Sequence, residues 1–279
     1  MIHPIARYLV VGFLVLPGVI GTSLPAAEPV PAPAPAAAPV VPPPAEKPWD
    51  ASIALGFNLT SGNSETMLLT LAYRAKKEWA QDIWSLGADG AYGQDHGNKN
   101  NEKAGAFTEY KRLLTERLYA SFHIDILHDA IANLEYRLTV GPALGYFFIK
   151  SPVTQLNAEI GPSYVVEKTD VQHPNQPAPP PPNPRYITSE TISYLALRLA
   201  ERFEHQFTNK AKIWQALEFL PQVDDFNNYL VNAEAGAEVV LNGSLNIRVV
   251  GQDKYNNQPA PNSKNNDIAL LTALVYKFH

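Results

Sequence analysis

The sequence predicts an all-β protein, an antiparallel transmembrane β-barrel of about 12 strands that follows a signal peptide and a Pro-rich spacer. Three observations lead to this prediction. From Trp49 onward, apolar and polar residues alternate over runs of about 10 to 14 residues, roughly twice the usual strand length. Each run has one apolar face and one face that carries polar or charged residues. Connections are short after even-numbered runs and mostly longer after odd-numbered ones, as in outer-membrane barrels.

The amino-terminal segment has the features of a secretory signal peptide. Met1–Arg7 carries one arginine and no acid, and Tyr8–Ile20 is an apolar run of 13 residues. A membrane-spanning helix needs about 20 residues, so this run is too short to cross a bilayer. Small residues then follow at the expected cleavage point, after Ala26 or Ala27. We therefore predict a signal peptide over residues 1–27.

A proline-rich segment separates the signal peptide from the barrel. Residues 28–48 contain nine prolines in 21 positions, and proline fixes φ and donates no backbone hydrogen bond. The segment is therefore expected to form an extended periplasmic linker rather than helix or sheet. A second proline cluster, Pro174–Pro184, is predicted to be a loop inserted between two strands.

The barrel is predicted to occupy residues 49–279. Side chains alternate between the two faces of a strand, so each period-two run predicts one strand. The twelve predicted strands are Trp49–Thr60, Ser64–Trp79, Asp82–Tyr92, Glu102–Leu113, Leu118–His128, Arg137–Ile149, Thr154–Glu167, Thr191–Phe203, Ala211–Leu220, Tyr229–Leu241, Ser244–Tyr255 and Asp267–Phe278. An even number of strands places both termini on one side, which in the usual orientation is the periplasm.

The charged residues on the polar faces predict what each face contacts. An unpaired charge buried in a dry core costs several kcal/mol, so these faces are expected to surround a wet or ion-paired lumen. The apolar faces then contact outer-membrane lipid and lipopolysaccharide. The candidate lumen-lining residues are Arg74, Glu109, His123, Asp125, Glu159, Arg198, Arg202, Glu218, Glu234 and Arg248. Aromatic residues near strand ends fit girdles at the two interfaces: Trp79, Trp84, Tyr92, Tyr110, Tyr146, Phe148, Tyr255 and Tyr276.

The first hairpin and the closing strand resemble those of a known bacterial family. Gly56–Leu71 turns a corner whose residues are Thr60, Ser61, Gly62, Asn63 and Ser64. This stretch resembles the first hairpin of the family called domain of unknown function 481, whose members are often labelled salt-induced outer-membrane proteins. The resemblance covers Trp49–Phe278 and implies a barrel in the outer membrane of a Gram-negative bacterium, without supplying a substrate or a mechanism.

The carboxyl-terminal strand resembles the signal that directs barrels to the outer-membrane barrel assembly machinery. Its alternate positions hold Leu270, Leu274, Tyr276 and Phe278, and His279 departs from that pattern by following the phenylalanine. The assembly machinery is therefore an expected partner.

The sequence contains few features that indicate nucleic-acid binding, metal binding or catalysis. There is no cysteine, and the net charge of −5 comes without a basic block, which argues against nucleic acid as a partner. His123 and Asp125 share one strand face and could form a hydrogen-bonded pair or one corner of a metal site, but two further ligands are missing. No Gly-x-Ser-x-Gly motif or phosphate loop occurs. We predict no catalytic, cofactor-binding or metal-binding residues and no enzymatic activity, an outer-membrane hydrolase being the least favoured alternative.

Two functional interpretations follow from the predicted lumen. The first is a narrow or closed barrel with a role in envelope integrity or in the osmotic or salt response. The second is a small solute or ion channel with a weak preference for anions, lined by Arg74, Arg198, Arg202 and Arg248. The inward-facing glutamates could instead pair with these arginines and fill the lumen.

Overall fold

The computed structural model describes residues 48–60, 66–172, 187–259 and 263–278, which form twelve antiparallel strands closed into one barrel. Every strand pairs with its neighbours in the sequence, and β1 pairs with β12 to close the ring. The strands are β1 Asp50–Thr60, β2 Thr66–Glu78, β3 Asp82–Asp95, β4 Asn98–Leu113, β5 Leu118–Asp129, β6 Leu134–Lys150, β7 Thr154–Gln172, β8 Ile187–Thr208, β9 Ala211–Pro221, β10 Tyr229–Asn242, β11 Leu245–Asn256 and β12 Asn266–Phe278. Within these described ranges, no helix is long and apolar enough to cross a membrane.

The predicted strand count and fold are confirmed, while several predicted loops are shorter than expected. The predicted loop 93–101 is reduced to the turn His96-Gly97, since β3 and β4 both extend into it. The two turn residues have φ values of 49° and 77°, as the tight turns of hairpins require. The connection predicted at Glu204–Lys210 likewise shrinks because β8 continues to Thr208. The expectation that connections after odd strands are mostly longer therefore fails at β3.

Several predicted features lie outside the described residues. These are the signal peptide, all of the linker except Pro48, the corner Ser61–Ser64, the proline cluster Pro174–Pro184 and His279. Thr60 is described as the last residue of β1.

The two ends of the barrel differ in their connections. We call the end at which β1 begins and β12 ends the terminal end, and the opposite end the loop end. The terminal end carries the tight connections after even strands, such as 243–244. Apart from the turn 96–97, the loop end carries longer connections, such as 222–228 and 257–265. The termini of the barrel therefore lie on the side of the short turns.

The outer surface of the barrel is formed by the apolar faces. Along β1, alternate residues up to Phe57, which is 63% exposed, point outward, and Ile268 and Leu270 on β12 are 74% and 73% exposed. Exposing apolar surface to water costs a free energy of about 25 cal/mol per Å². Large exposed apolar side chains nevertheless occur on every strand of the barrel. This surface is suited to contact with lipid.

The aromatic residues predicted to form girdles lie near strand ends. Exposed rings close to the terminal end are Trp79, Trp84, Tyr110, Tyr146, Phe148 and Tyr276. Near the loop end, Tyr92 is exposed and Tyr255 stacks on Tyr229 with ring centroids 5.8 Å apart. The predicted girdle residues thus lie toward the two ends of the barrel.

Two inward-facing aromatic rings lie flat against glycines of the neighbouring strand. Tyr119 is fully buried over Gly145, where an added Cβ would be 2.2 Å from its Cζ. Trp214 covers Gly236 in the same way, with an added Cβ 2.2 Å from Cζ2. Because neither glycine has a side chain, each ring packs on the barrel wall and occupies part of the lumen.

The Gly145→Ala variant should therefore be less stable than the native chain by about 2 kcal/mol, since the added methyl group overlaps a fully buried ring. Displacing that ring also weakens the hydrogen bond of 2.9 Å from Tyr119 Oη to Glu159 Oε1. Urea-induced unfolding in lipid vesicles measures the change. Gly90→Ala is the matched control, because the nearest atom to its added Cβ is 3.6 Å away. Equal stabilities of the two variants would contradict the proposed packing.

Candidate functional site

The interior of the barrel contains a cavity of about 660 Å³ lined by side chains from all twelve strands. Nine of the ten predicted lumen residues line it, and the tenth, Glu159, is buried beside it and bonded to two lining residues. The prediction omitted Lys111 and Lys212, which also line the cavity. Both are in phase with predicted residues on the same strands, Glu109 and Glu218, so the alternation could have identified them.

An ion-pair network lies inside the lumen, and Arg198 is at its centre. Its Nη1 is 2.7 Å from Glu159 Oε2, and its Nε is 2.5 Å from Glu218 Oε2. Lys111 Nζ, on β4, is 2.7 Å from the other oxygen of Glu159, to which Tyr119 Oη also donates. The network joins strands β4, β5, β7, β8 and β9, so it fills one side of the lumen. We call these five residues the central network.

A second set of charges lines the cavity near the terminal end. It consists of Arg202, Glu204, Lys212, Glu238, Arg248 and Lys277, which we call the basic belt. Trp214 packs within it, with the Lys212 Nζ 5.7 Å and the Arg248 Cζ 5.9 Å from its ring centroid. The belt runs over the neighbouring strands β8 to β12.

At the loop end, polar contacts join opposite sides of the barrel. Lys103 on β4 forms ion pairs with Asp129 on β5, at 3.1 Å, and with Asp267 on β12. Asp129 Oδ1 also accepts hydrogen bonds from the backbone N–H groups of Ile131 and Ala132, at 3.1 and 3.0 Å. Ser263 Oγ, in the β11–β12 connection, donates to Ala132 O at 3.1 Å. We call this chain of contacts the loop-end bridge.

The loop-end bridge spans the mouth because of where its strands lie in the ring. The β5–β6 and β11–β12 connections are separated by six strands in a ring of twelve, which is the maximum possible. A contact between them therefore crosses the opening instead of following the rim.

The remaining predicted residues are also placed by the structure. Arg74 is paired with Asp89 at 2.9 Å, while Glu234 accepts hydrogen bonds from Trp214 Nε1 and Gln252 Nε2 at 2.7 and 2.9 Å. His123 Nε2 lies 3.2 Å from Ser163 Oγ on β7.

The sequence pattern allows His123 and Asp125 to form a hydrogen-bonded pair or one corner of a metal site. Both side chains line the cavity. In the described part of the chain, no group of three or more His, Cys, Asp or Glu residues is arranged to hold a metal ion.

The closed ring, the apolar exterior and the charged interior together define a β-barrel of the outer-membrane type. Residues 53–278 match the family described as "Protein of unknown function, DUF481", and the chain belongs to that family. The predicted resemblance to this family is thereby confirmed.

Individual relatives are distant. The chain is 22% identical over 219 residues to the Uncharacterized protein YdiY of Escherichia coli (strain K12), with 78% of each chain covered. Among solved structures it is similar to the translocator domain of autotransporter NalP from Neisseria meningitidis, at 13% identity and a TM-score of 0.46, covering 82% of this chain and 87% of that one. It is also similar to the NanC porin, at 6% identity and a TM-score of 0.47, covering 82% and 100%.

Proposed function

We propose that this chain is an outer-membrane β-barrel, closed at its loop end, that contributes to envelope integrity or to the osmotic or salt response of a Gram-negative bacterium. In the proposed orientation the terminal end faces the periplasm, because outer-membrane barrels have short periplasmic turns and longer outer loops. The predicted signal peptide and linker agree with this orientation. The proposal includes no enzymatic activity.

The loop-end bridge is the observation that carries the proposal. Lys103 on β4 pairs with Asp129 on the adjacent strand β5 and with Asp267 on β12, which lies on the far side of β1–β3. Ser263 adds a hydrogen bond across the mouth. Below the bridge, the central network occupies part of the lumen. Porins of about 16 to 18 strands leave an aqueous channel, and a ring of twelve encloses a narrower lumen even before these side chains are added.

The outer surface supports the proposed partners. The exposed aliphatic band and the aromatic bands at its edges fit outer-membrane lipid and lipopolysaccharide. The outward residues of β12 include Leu270, Leu274, Tyr276 and Phe278, all of them exposed. This alternation supports recognition of the closing strand by the barrel assembly machinery.

The internal cavity favours a second candidate function, a small solute or ion channel that opens at the loop end. Its volume of about 660 Å³ and its lining by all twelve strands leave a potential path through the barrel. Of the four arginines expected to line an anion path, Arg198 contacts two carboxylates and Arg202 is the most exposed, at 47% of its side chain. A weak anion preference would therefore depend on Arg202 more than on Arg198.

Single-channel recording distinguishes the two candidates. The full-length protein, expressed with its own signal sequence and purified in detergent, is inserted into planar bilayers. We expect long silent periods with at most small, brief current steps, because the loop-end bridge spans the mouth. Stable, large current steps would contradict the closed barrel and support the channel.

The envelope role is tested in the host bacterium. Deletion of the gene should slow growth at high salt or increase entry of a normally excluded dye, and the native gene should restore both. A deletion strain with unchanged growth and permeability at every salt concentration would contradict this role.

A further inference from the structure

The charges of the basic belt are unequal in number. Glu204 is shared by Arg202 at 3.5 Å and Lys212 at 3.9 Å. Glu238 is shared by Arg248 at 2.7 Å and Lys277 at 3.0 Å. Within the belt, two carboxylates thus face four cations, which gives these six residues a net charge of +2.

The group around Glu204 and the group around Glu238 form one continuous surface. The register of β9 and β10 places Lys212 directly opposite Glu238, on the same face of the sheet. All six belt residues line the cavity of about 660 Å³, a volume within the range of about 300–1,000 Å³ typical of small-ligand sites. The excess positive charge therefore faces a cavity large enough for a small molecule.

Arg202 and Lys212 are the cations best able to bind an added anion. Their contacts with Glu204 are long, and their side chains are 47% and 32% exposed. Arg198, only four residues from Arg202 on the same strand, is 12% exposed and already contacts two carboxylates. Anion binding is thus expected at the belt and not at the central network.

From this geometry we infer that the basic belt binds a small multivalent oxyanion, a molecule with two or more phosphate or carboxylate groups, that enters from the terminal end. Arginine offers paired N–H donors to such groups, and lysine adds point charges. Trp214 keeps two of the cations in place, since its ring lies beside Lys212 and Arg248 while its Nε1 donates to Glu234. The inference rests on the proposed function to the extent that the terminal end must be accessible from the periplasm.

Isothermal titration calorimetry of the full-length protein in detergent tests this site. Pyrophosphate and citrate are titrated separately at constant ionic strength, because charge contacts near water are screened by salt. At least one of the two should bind, and the tighter of them assigns the site to phosphate or to carboxylate groups. The Arg202→Gln/Lys212→Gln variant should bind at least tenfold more weakly. Glu204→Gln should bind severalfold more tightly, because it raises the net charge of the belt by one.

The matched control is Lys99→Gln/Lys264→Gln, which removes the same charge from exposed positions at the loop end. Its affinity should equal that of the native protein. Absence of binding by the native protein, an equal loss in the control, or weaker binding by Glu204→Gln would each overturn the inference. Calorimetry requires no current through the barrel, so the two proposals can fail separately. A conducting barrel that binds the anion would contradict only the proposed closure. A silent barrel that does not bind the anion would contradict only the proposed site.

Discussion

Replacing Arg198 with methionine should lower the free energy of unfolding by about 3 kcal/mol, the largest effect expected from a single substitution in the lumen. The guanidinium contacts Glu159 at 2.7 Å and Glu218 at 2.5 Å, and the Glu159 side chain is only 3% exposed. Without Arg198, two carboxylates are left close together, and Glu159 retains Lys111 as its one cation partner in the described network. Urea-induced unfolding in lipid vesicles measures the loss.

Arg202→Met is the matched control for that substitution. Arg202 lies on the same strand and the same face, but its side chain is 47% exposed and its contact with Glu204 is 3.5 Å long. Exposed ion pairs contribute about 0–1 kcal/mol, so stability should change by about 0.5 kcal/mol or less. If Arg198→Met and Arg202→Met had the same stability, the central network would not be a structural element of the barrel.

The number and placement of the strands could be predicted because alternation is a local property. Along β5, Phe122, Ile124 and Ile126 are exposed to the outside, while His123 and Asp125 line the cavity, as their alternation indicates. A residue's face depends only on its phase within its own strand. The lumen-lining set could therefore be listed without knowing which strands are neighbours.

The ends of β3 and β4 were harder to predict. Residues 98–101 are Asn-Lys-Asn-Asn, a composition that favours loops, yet they belong to β4. Near the end of a barrel both faces of a strand can meet water, so the contrast between faces that marks a strand is lost there. The turn His96-Gly97 is recognisable only once both strands are extended toward it.

Pairing within the lumen could not be predicted from the sequence. Arg198 and Arg202 have the same phase on one strand, yet the first is enclosed by carboxylates and the second faces the cavity. Register places Glu159 and Glu218 opposite Ala200, midway between the two arginines, so neither phase nor register decides which arginine they contact. Side-chain packing inside the lumen decides it, and that packing depends on contacts between separate parts of the chain.

The loop-end bridge was not predicted from the sequence at all. The second large expected effect comes from removing it. The Lys103→Met/Ser263→Ala variant should show frequent, stable current steps in planar bilayers, at least tenfold more often than the native protein. Loss of Lys103 leaves Asp129 and Asp267 without the cation that joins them, and loss of the serine hydroxyl removes the contact with Ala132.

The two halves of the bridge should act together because Asp129 connects them. Its Oδ2 pairs with Lys103, while its Oδ1 accepts the backbone N–H groups of the β5–β6 turn that Ser263 contacts. Each single variant should therefore raise the opening frequency less than the double variant. Lys99→Met is the control, since it removes a lysine paired with Glu102 on the β3–β4 hairpin without altering the bridge. A double variant as silent as this control would mean that the lumen is closed by the central network, and current should then appear only when Arg198 is also replaced.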